Sequence, residues 1–473
     1  MTKYIKKFEL TSKYEEYINS DIALLPNVSL TNDNNIVHYN PIYNYSQDYL
    51  TFVAKEDGTF KFSGNSINYS LDNGKTWTTL SSNTDTPTVQ AGNKIMFKAT
   101  LIPQEYSGIG TFSSTSRFTT QGNVMSLLYG DDFIGQEDLT GKGFGFYSLF
   151  SSCIGLTNAK NMCLPATTLA NYCYSSMFTD CTSLTNAPEL PATTLTERCY
   201  CGMFQGCSSL TNAPELPATT LAKFCYEHMF NSCESLTDAP ELPATTLADY
   251  CYLNMFDGCT SLTNAPELPA TTLAMNCYDR MFNGCTSLTN TPELPATTLA
   301  MNCYDRMFNG CTSLTNTPEL PATTLANYCY DRMFNGCTSL TNTPELPATT
   351  LAMNCYDSMF YGCTSLTTAP ELPATTLADN CYRFMFYNCR SLTNAPELPA
   401  TILAKYCYQY MFGGCTNLNY IKMLATNIRA KQCLDSWVNG VSSTGTFVKH
   451  PNMTSLPTGV SGIPTGWTVQ DAA

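Results

Sequence analysis

Histidine is nearly missing from this chain: 473 residues contain only His38, His228 and His450, so catalysis or metal binding built on imidazole has little material. Charge is also scarce. Asp, Glu, Lys and Arg make up 13% of residues, about half of the ~25% usual in soluble proteins. The shortage is mainly of basic residues, 24 against 38 acidic, for a net charge of −14. Phosphate neutralisation needs clustered Lys and Arg, so the balance excludes a nucleic-acid partner and disfavours an anionic membrane face. No apolar run approaches the ~18 residues of a membrane span, so no membrane insertion is expected. The start, MTKYIKKFELTSKYEEYINSD, lacks the ~7–15-residue apolar stretch of a secretory signal. Cytoplasmic synthesis and folding are therefore expected, and display outside a cell would need a carrier such as a virus particle.

What the chain does have is hydrophobic residues, 43% of the total, enough for a large core. At roughly 150 residues per domain, about three domains are expected. The segment LPATTL, once LPATIL, begins at Leu164, Leu190, Leu216, Leu242, Leu268, Leu294, Leu320, Leu346, Leu372 and Leu398, always 26 residues apart. Degenerate copies flank it at 146–153 and 421–438. A fixed period of this size marks a solenoid, in which units stack to bury faces that none can cover alone. In the unit 261–286 the apolar residues come in pairs: Leu273 and Ala274, Cys277 and Tyr278, Met281 and Phe282, then Cys285. Pairs every four positions predict a helical stripe, with Thr271 or Thr272 as N-cap and a stop at Gly284. Pro266 and Pro269 confine any strand to Ser261–Ala265. The expected fold is an α/β solenoid of 26-residue repeats, each a short strand, a Pro-bounded bend and a helix.

The recurring string MF-x-G-C-T-S-L-T, as at Met281–Thr289, resembles BspA-type leucine-rich repeats over about residues 144–441. Segments outside the array, NVSLTNDNNIVHYNP, YSLDNGKTW, GNVMSLLYGDDF and GTFVKHPNM with GIPTGWTV, resemble repeat proteins of Bacteroidales and their crAss-like phages. That resemblance implies a surface-display or virion adhesin role.

The organisation expected is an amino-terminal attachment arm (1–45), with a strand pair as the alternative, and a small all-β sandwich (46–107). A β linker capping the solenoid (108–143), the solenoid itself (144–441) and a carboxyl-terminal cap (442–473) follow. Asp57-Gly58 and Asn73-Gly74 both read as hairpin turns. Ser70–Trp77 matches the Asp-box of sialidase propellers, which in that family stabilises a hairpin away from the active site. One copy supports no sialidase activity.

All 24 cysteines lie in the array or its edges, mostly paired as Cys277 and Cys285 are. This spacing does not suit a zinc knuckle. Two columns of buried free thiols are expected, with a disulfide-stapled secreted array as the alternative. Glutamate recurs in every PEL bend from Glu189 to Glu397; one carboxylate per turn is thin for calcium, and solvated bends are expected. No metal, cofactor or catalytic residue is assigned.

Copies differ chiefly at two columns, those of Arg280 and Asn283, which face away from the apolar stripe. The candidate ligand-binding face is Arg280, Arg306, Arg332, Tyr361, Phe384, Tyr387 and Tyr410, with Asn380 and Asn388 beside the aromatics. Exposed aromatics next to amides suit glycan or protein recognition, with simple drift of exposed positions as the plain alternative. The function expected is a non-enzymatic phage fibre or adhesin on the virion surface. The arm would meet other virion proteins, the array a host glycan or protein, and a trimer would be a natural assembly. The alternatives are a bacterial cell-surface adhesin or a purely structural virion component.

Overall fold

The computed structural model describes residues 3–6, 28–33, 36–41 and 44–473. Strands β1 (Lys3–Lys6), β2 (Val28–Asp33) and β3 (Ile36–Pro41) form an antiparallel sheet ordered β1-β3-β2. The rest of the segment read as an attachment arm lies outside the described residues, apart from Asn44 and Tyr45.

Seven short strands follow: β4 (Leu50–Ala54), β5 (Phe60–Phe62), β6 (Ile67–Ser70), β7 (Thr78–Leu80), β8 (Lys94–Lys98), β9 (Phe112–Ser114) and β10 (Phe118–Asn123). Alternating apolar residues put Phe52 at their centre. The rings of Phe60, Phe97, Phe112 and Phe118 lie 5.3, 4.8, 4.9 and 4.7 Å from it, close enough for favourable edge and tilted ring contacts. Asp57-Gly58 does not close a hairpin. Strand β4 pairs with β8 and β10 and β5 pairs with β9, while Gly58 bridges Val89 and the Asp57 carboxylate accepts from the Ala91 N–H.

Asn73 and Gly74 do both take positive φ, 59° and 82°, in the loop joining β6 to β7. There the Ser70 hydroxyl accepts from the Gly74 N–H at 2.8 Å, and Trp77 donates its indole N–H to the Gly74 carbonyl at 3.1 Å. The Asp72 carboxyl is held down at about 2, chiefly by the Thr76 backbone N–H and then by that residue's hydroxyl. These bonds all lie within the loop, the arrangement of a hairpin stabiliser.

The sheet does not stop where the repeats begin. Strand β10 pairs in parallel with β11 (Leu156–Cys163) of the first coil, giving the order β11-β10-β4-β8-β6-β7. Phe150 of the array lies 5.8 Å from Phe52, and one apolar core continues from Leu50 to Trp467.

Within the array the expected helix is replaced by a chain of tight turns. Asn302, Arg306 and Gly310 have φ of 56°, 52° and 73°, and the same left-handed residue recurs every fourth position in each coil. An α-helix cannot contain such residues, because it needs φ near −63° throughout. Two sets of backbone bonds alternate instead. Met307 and Cys311 donate to the carbonyls three residues back at 3.3 and 3.1 Å. Tyr304, Arg306, Phe308 and Gly310 donate to Cys329, Asp331, Met333 and Asn335 of the next coil at 2.7–3.1 Å. Side chains four apart therefore stay in register, whereas on a helix of 3.6 residues per turn they would drift by about 40° per pair.

The expected strand is also reduced. Two prolines per coil remove ladder donors, leaving single bridges such as Asn186 with Asn212 and Asp238 with Asn264. Longer pairing is found at the ends, in β11 and in the parallel sheet β12 (Asn394–Leu398), β13 (Tyr420–Met423), β14 (Thr446–Lys449) and β15 (Thr468–Asp471).

Rings stack through the core with the coil repeat. Tyr278 and Tyr304 are 5.8 Å apart, Phe282 and Phe308 5.6 Å, and both columns end on the buried Trp437. All 24 cysteines are free. One thiol column has a bonding role: Cys311 donates its S–H to the Phe282 carbonyl at 3.1 Å, and the pattern repeats from Cys181 to Cys415. At the far end Trp467 is buried, with its indole N–H donated to the Ser442 carbonyl at 2.7 Å.

Candidate binding face

The left-handed residue at every fourth position turns its side chain away from the ring stacks, and the Arg280 column occupies one such position. Arg280, Arg306 and Arg332 are not free arms. Each reaches the aspartate preceding it, at 3.7 Å to Asp279, 3.0 Å to Asp305 and 2.9 Å to Asp331. Those aspartates, and Asp357 above them, are buried. Asp357 is held by Arg383 of the next coil through two guanidinium nitrogens, at 2.6 and 2.9 Å.

Burial is the main cause of a raised carboxyl pKa at Asp279, Asp305 and Asp331. Neighbouring carboxylates add to it at Asp305, which reaches about 6, and at Asp331, which reaches about 8; the arginines oppose it. One oxygen, Oδ1, of each of Asp279, Asp305 and Asp331 has no hydrogen-bond partner. The arginines are therefore first of all counter-ions to a buried acidic ladder, with their outer surfaces about a quarter to a third exposed.

The four aromatics come together across three coils. Phe384 stacks on Tyr410 at 4.8 Å and Tyr361 on Tyr387 at 5.0 Å. The two pairs meet through Phe384 and Tyr387 at 5.6 Å and through Tyr387 and Tyr410 at 6.2 Å. Gly413 makes room for the group, since a Cβ there would stand 2.7 Å from the Tyr387 ring. All four rings are half-buried, and they form an apolar platform of two stacked pairs set at 70° to each other rather than separate exposed side chains. The Arg383 guanidinium lies 5.8 Å from the Phe384 ring and borders the platform with positive charge. Asn380 bonds Asn354 of the preceding coil at 3.3 Å.

A second aromatic column, on the position of Asn276, was not anticipated. Phe144 stacks on Tyr172 at 4.5 Å, the Arg198 guanidinium sits 3.9 Å over Phe224, and Phe224 stacks on Tyr250 at 4.5 Å. The recurrence of Tyr172, Arg198, Phe224 and Tyr250 at 26-residue spacing was the available signal. The glutamates of the PEL bends are exposed, and Glu397 pairs with Lys422 at 2.9 Å. Among the described residues no group of three or more His, Cys, Asp or Glu side chains is arranged to hold a metal ion. Nor, among them, is any helix long and apolar enough to cross a membrane.

Comparison with known proteins agrees with the coil pattern. Residues 249–382 and 332–434 match the BspA type leucine rich repeat region, in six copies. No curated protein and no solved structure matches the chain. With the repeat register, the stacked rings and this match in agreement, residues 249–434 are a BspA-like leucine-rich repeat region.

Proposed function

We propose that this protein is a non-enzymatic adhesin displayed on a phage particle, with the array carrying a host-binding face. BspA-like repeats point to a surface adhesion-type repeat protein, and the virion setting goes beyond that. The observation that carries the reading is the aromatic platform of Tyr361, Phe384, Tyr387 and Tyr410. It lies outside the ring stacks that hold the coils together, so folding alone does not account for it. Planar rings bordered by Arg383 and amides suit a host glycan or surface protein. The amino-terminal arm is assigned to contacts with other virion proteins, and trimeric assembly would multiply weak contacts into firm attachment. The thiols favour folding in a reducing compartment before display, because secreted folds usually oxidise theirs. A bacterial cell-surface adhesin using the same face is the second reading, favoured by the family match itself.

The test is a variant with all four aromatics replaced by alanine, coated on beads and offered to Bacteroidales cells. Loss of an anchor costs ~1–3 kcal/mol, so attachment should fall at least tenfold while the variant stays folded at the assay temperature. Unaltered attachment refutes the face. Attachment of neither protein to any strain favours a purely structural virion component.

A further inference from the structure

We propose a second binding site, for an uncharged oligosaccharide, in the cleft between the amino-terminal sheets and the first coil of the array. The cleft is a cavity of about 530 Å³, within the range of small-molecule sites. Its walls come from residues 63–65, 101–102, 104, 106–111 and 147–148, with Ser82 at the edge. No lining residue carries a charge, although the chain bears 38 acidic side chains. The lining consists instead of hydroxyls, amides, glycines, two tyrosines and three aliphatic residues.

The chemistry fits a saccharide. Gln104, Asn65, Ser107 and Tyr147 can each both donate and accept, as sugar hydroxyls require. Gln104 uses one amide N–H on the Ile102 carbonyl, at 3.2 Å. Among the described residues no hydrogen bond engages the side chains of Asn65, Ser107, Tyr106 or Tyr147, which leaves them available. A peptide adding as a strand would need a free sheet edge, but β5 pairs with β9 on one side. On the other, its Phe60 and Phe62 carbonyls accept from the Thr86 and Asn83 N–H groups, while the Phe112 N–H of β9 donates to the Leu149 carbonyl. Ionic ligands have no counter-charge in the cleft.

The aromatic wall is held in a costly shape. Tyr106 has φ of 58°, a left-handed conformation that is unfavourable for a side-chain-bearing residue. It sits in the tight loop closed by two bonds of 2.9 Å between the backbones of Gln104 and Gly108. Tyr106 is 68% exposed and Ile102 is 71% exposed. The Tyr106 ring leans on Phe144 at 5.0 Å, where the stacked column of Phe144 and Tyr172 begins. Glycine would take the Tyr106 φ without that cost. The floor is built by close backbone approach: a Cβ on Gly64 would stand 2.0 Å from the Ile109 carbonyl oxygen, and one on Gly110 2.5 Å from Gly64. The cleft is therefore pre-formed, with a ring to take the C–H face of a pyranose and amides and hydroxyls for its edge.

The test uses the full chain and saturation-transfer NMR with maltotriose, mannotriose, xylotriose and chitotriose, and with a sialylated trisaccharide as the charged control. Transfer to at least one neutral trisaccharide is expected, and none to the charged one. Tyr106→Gly keeps the loop, because glycine adopts its φ freely, and should weaken binding at least tenfold without lowering the melting temperature. Asn65→Ala should weaken it several-fold. The quadruple alanine variant of the carboxyl-terminal platform should bind as the parent does, so this site and the host-contact face fail independently. No transfer from any neutral sugar, binding of the charged one alone, or equal binding by Tyr106→Gly and the parent would overturn the proposal.

Discussion

Replacing Asp331 with asparagine should make the protein more stable at alkaline pH and leave it almost unchanged at mildly acidic pH. Asp331 is 3% exposed, its Oδ1 has no partner, and burial with Asp305 and Asp357 nearby raises its pKa from 3.8 to about 8. The folded protein therefore keeps a proton that the unfolded chain releases. Stability falls as pH rises from about 4 to about 8 and is level above that, because the folded state binds the extra proton only within this window. At ~1.4 kcal/mol per pH unit the span amounts to about 6 kcal/mol at most. Asp305, raised to about 6, adds a smaller loss of the same sign between about 4 and 6.

Asparagine abolishes the titration at this site and offers an N–H to the neighbouring carboxylates. Its cost is the 2.9 Å pair with Arg332, whose side chain is 30% exposed and can turn to water. A net gain of about 2–4 kcal/mol is expected at pH 8, and less than about 1 kcal/mol at pH 5. Urea midpoints measured from pH 4.5 to 8 give both numbers. Asp72, Asp131 and Asp138, all held below their ordinary values, lose their stabilising effect only as pH falls below that window. A parent midpoint that stays flat or rises with pH, or a variant that tracks the parent in parallel, refutes the buried ladder.

Burial also raises the thiol pKa values, to about 12 at Cys303 and Cys381, so native alkylation should be slow and begin at the half-buried Cys163 and Cys201. Denaturation without reductant should then expose all 24, and a peptide map with regular Cys–Cys bridges would contradict the free columns. Residues 275–300 and 301–326 are identical, so excising 301–326 joins a coil to the neighbour it would otherwise meet one repeat later. The shortened protein should melt cooperatively and be shorter by one coil, ~5 Å; aggregation or a broad, early melt would count against interchangeable coils.

The repeat length and the core were legible in the sequence. Tyr278, Met281, Phe282 and Cys285, named from their spacing, are all buried. The backbone between them was misread because helix and turn-built coil both place apolar pairs four apart over a single short unit. The distinguishing signal was the residue between the pairs: positions 276, 280 and 284 recur with a period of four, and Asn276 and Gly284 are types that tolerate positive φ. Asp279 stands next to the variable Arg280 column, and nothing in its own repeat marks it as buried. Its burial depends on the coil above and below, which no pattern within one repeat reveals. The aromatics Tyr361, Phe384, Tyr387 and Tyr410 stand out in the sequence as departures within the Arg280 and Asn283 columns. The parallel column from Tyr172 to Tyr250 lies at the Asn276 position, whose letters also change from copy to copy.

Far-ultraviolet circular dichroism of the full chain tests the central structural claim, that each coil is built from left-handed turns bonded to the next coil, most directly. The account predicts a spectrum dominated by sheet and turn, without a helical double minimum, that is lost cooperatively on heating. A strong double minimum, as ten stacked helices would give, would contradict it.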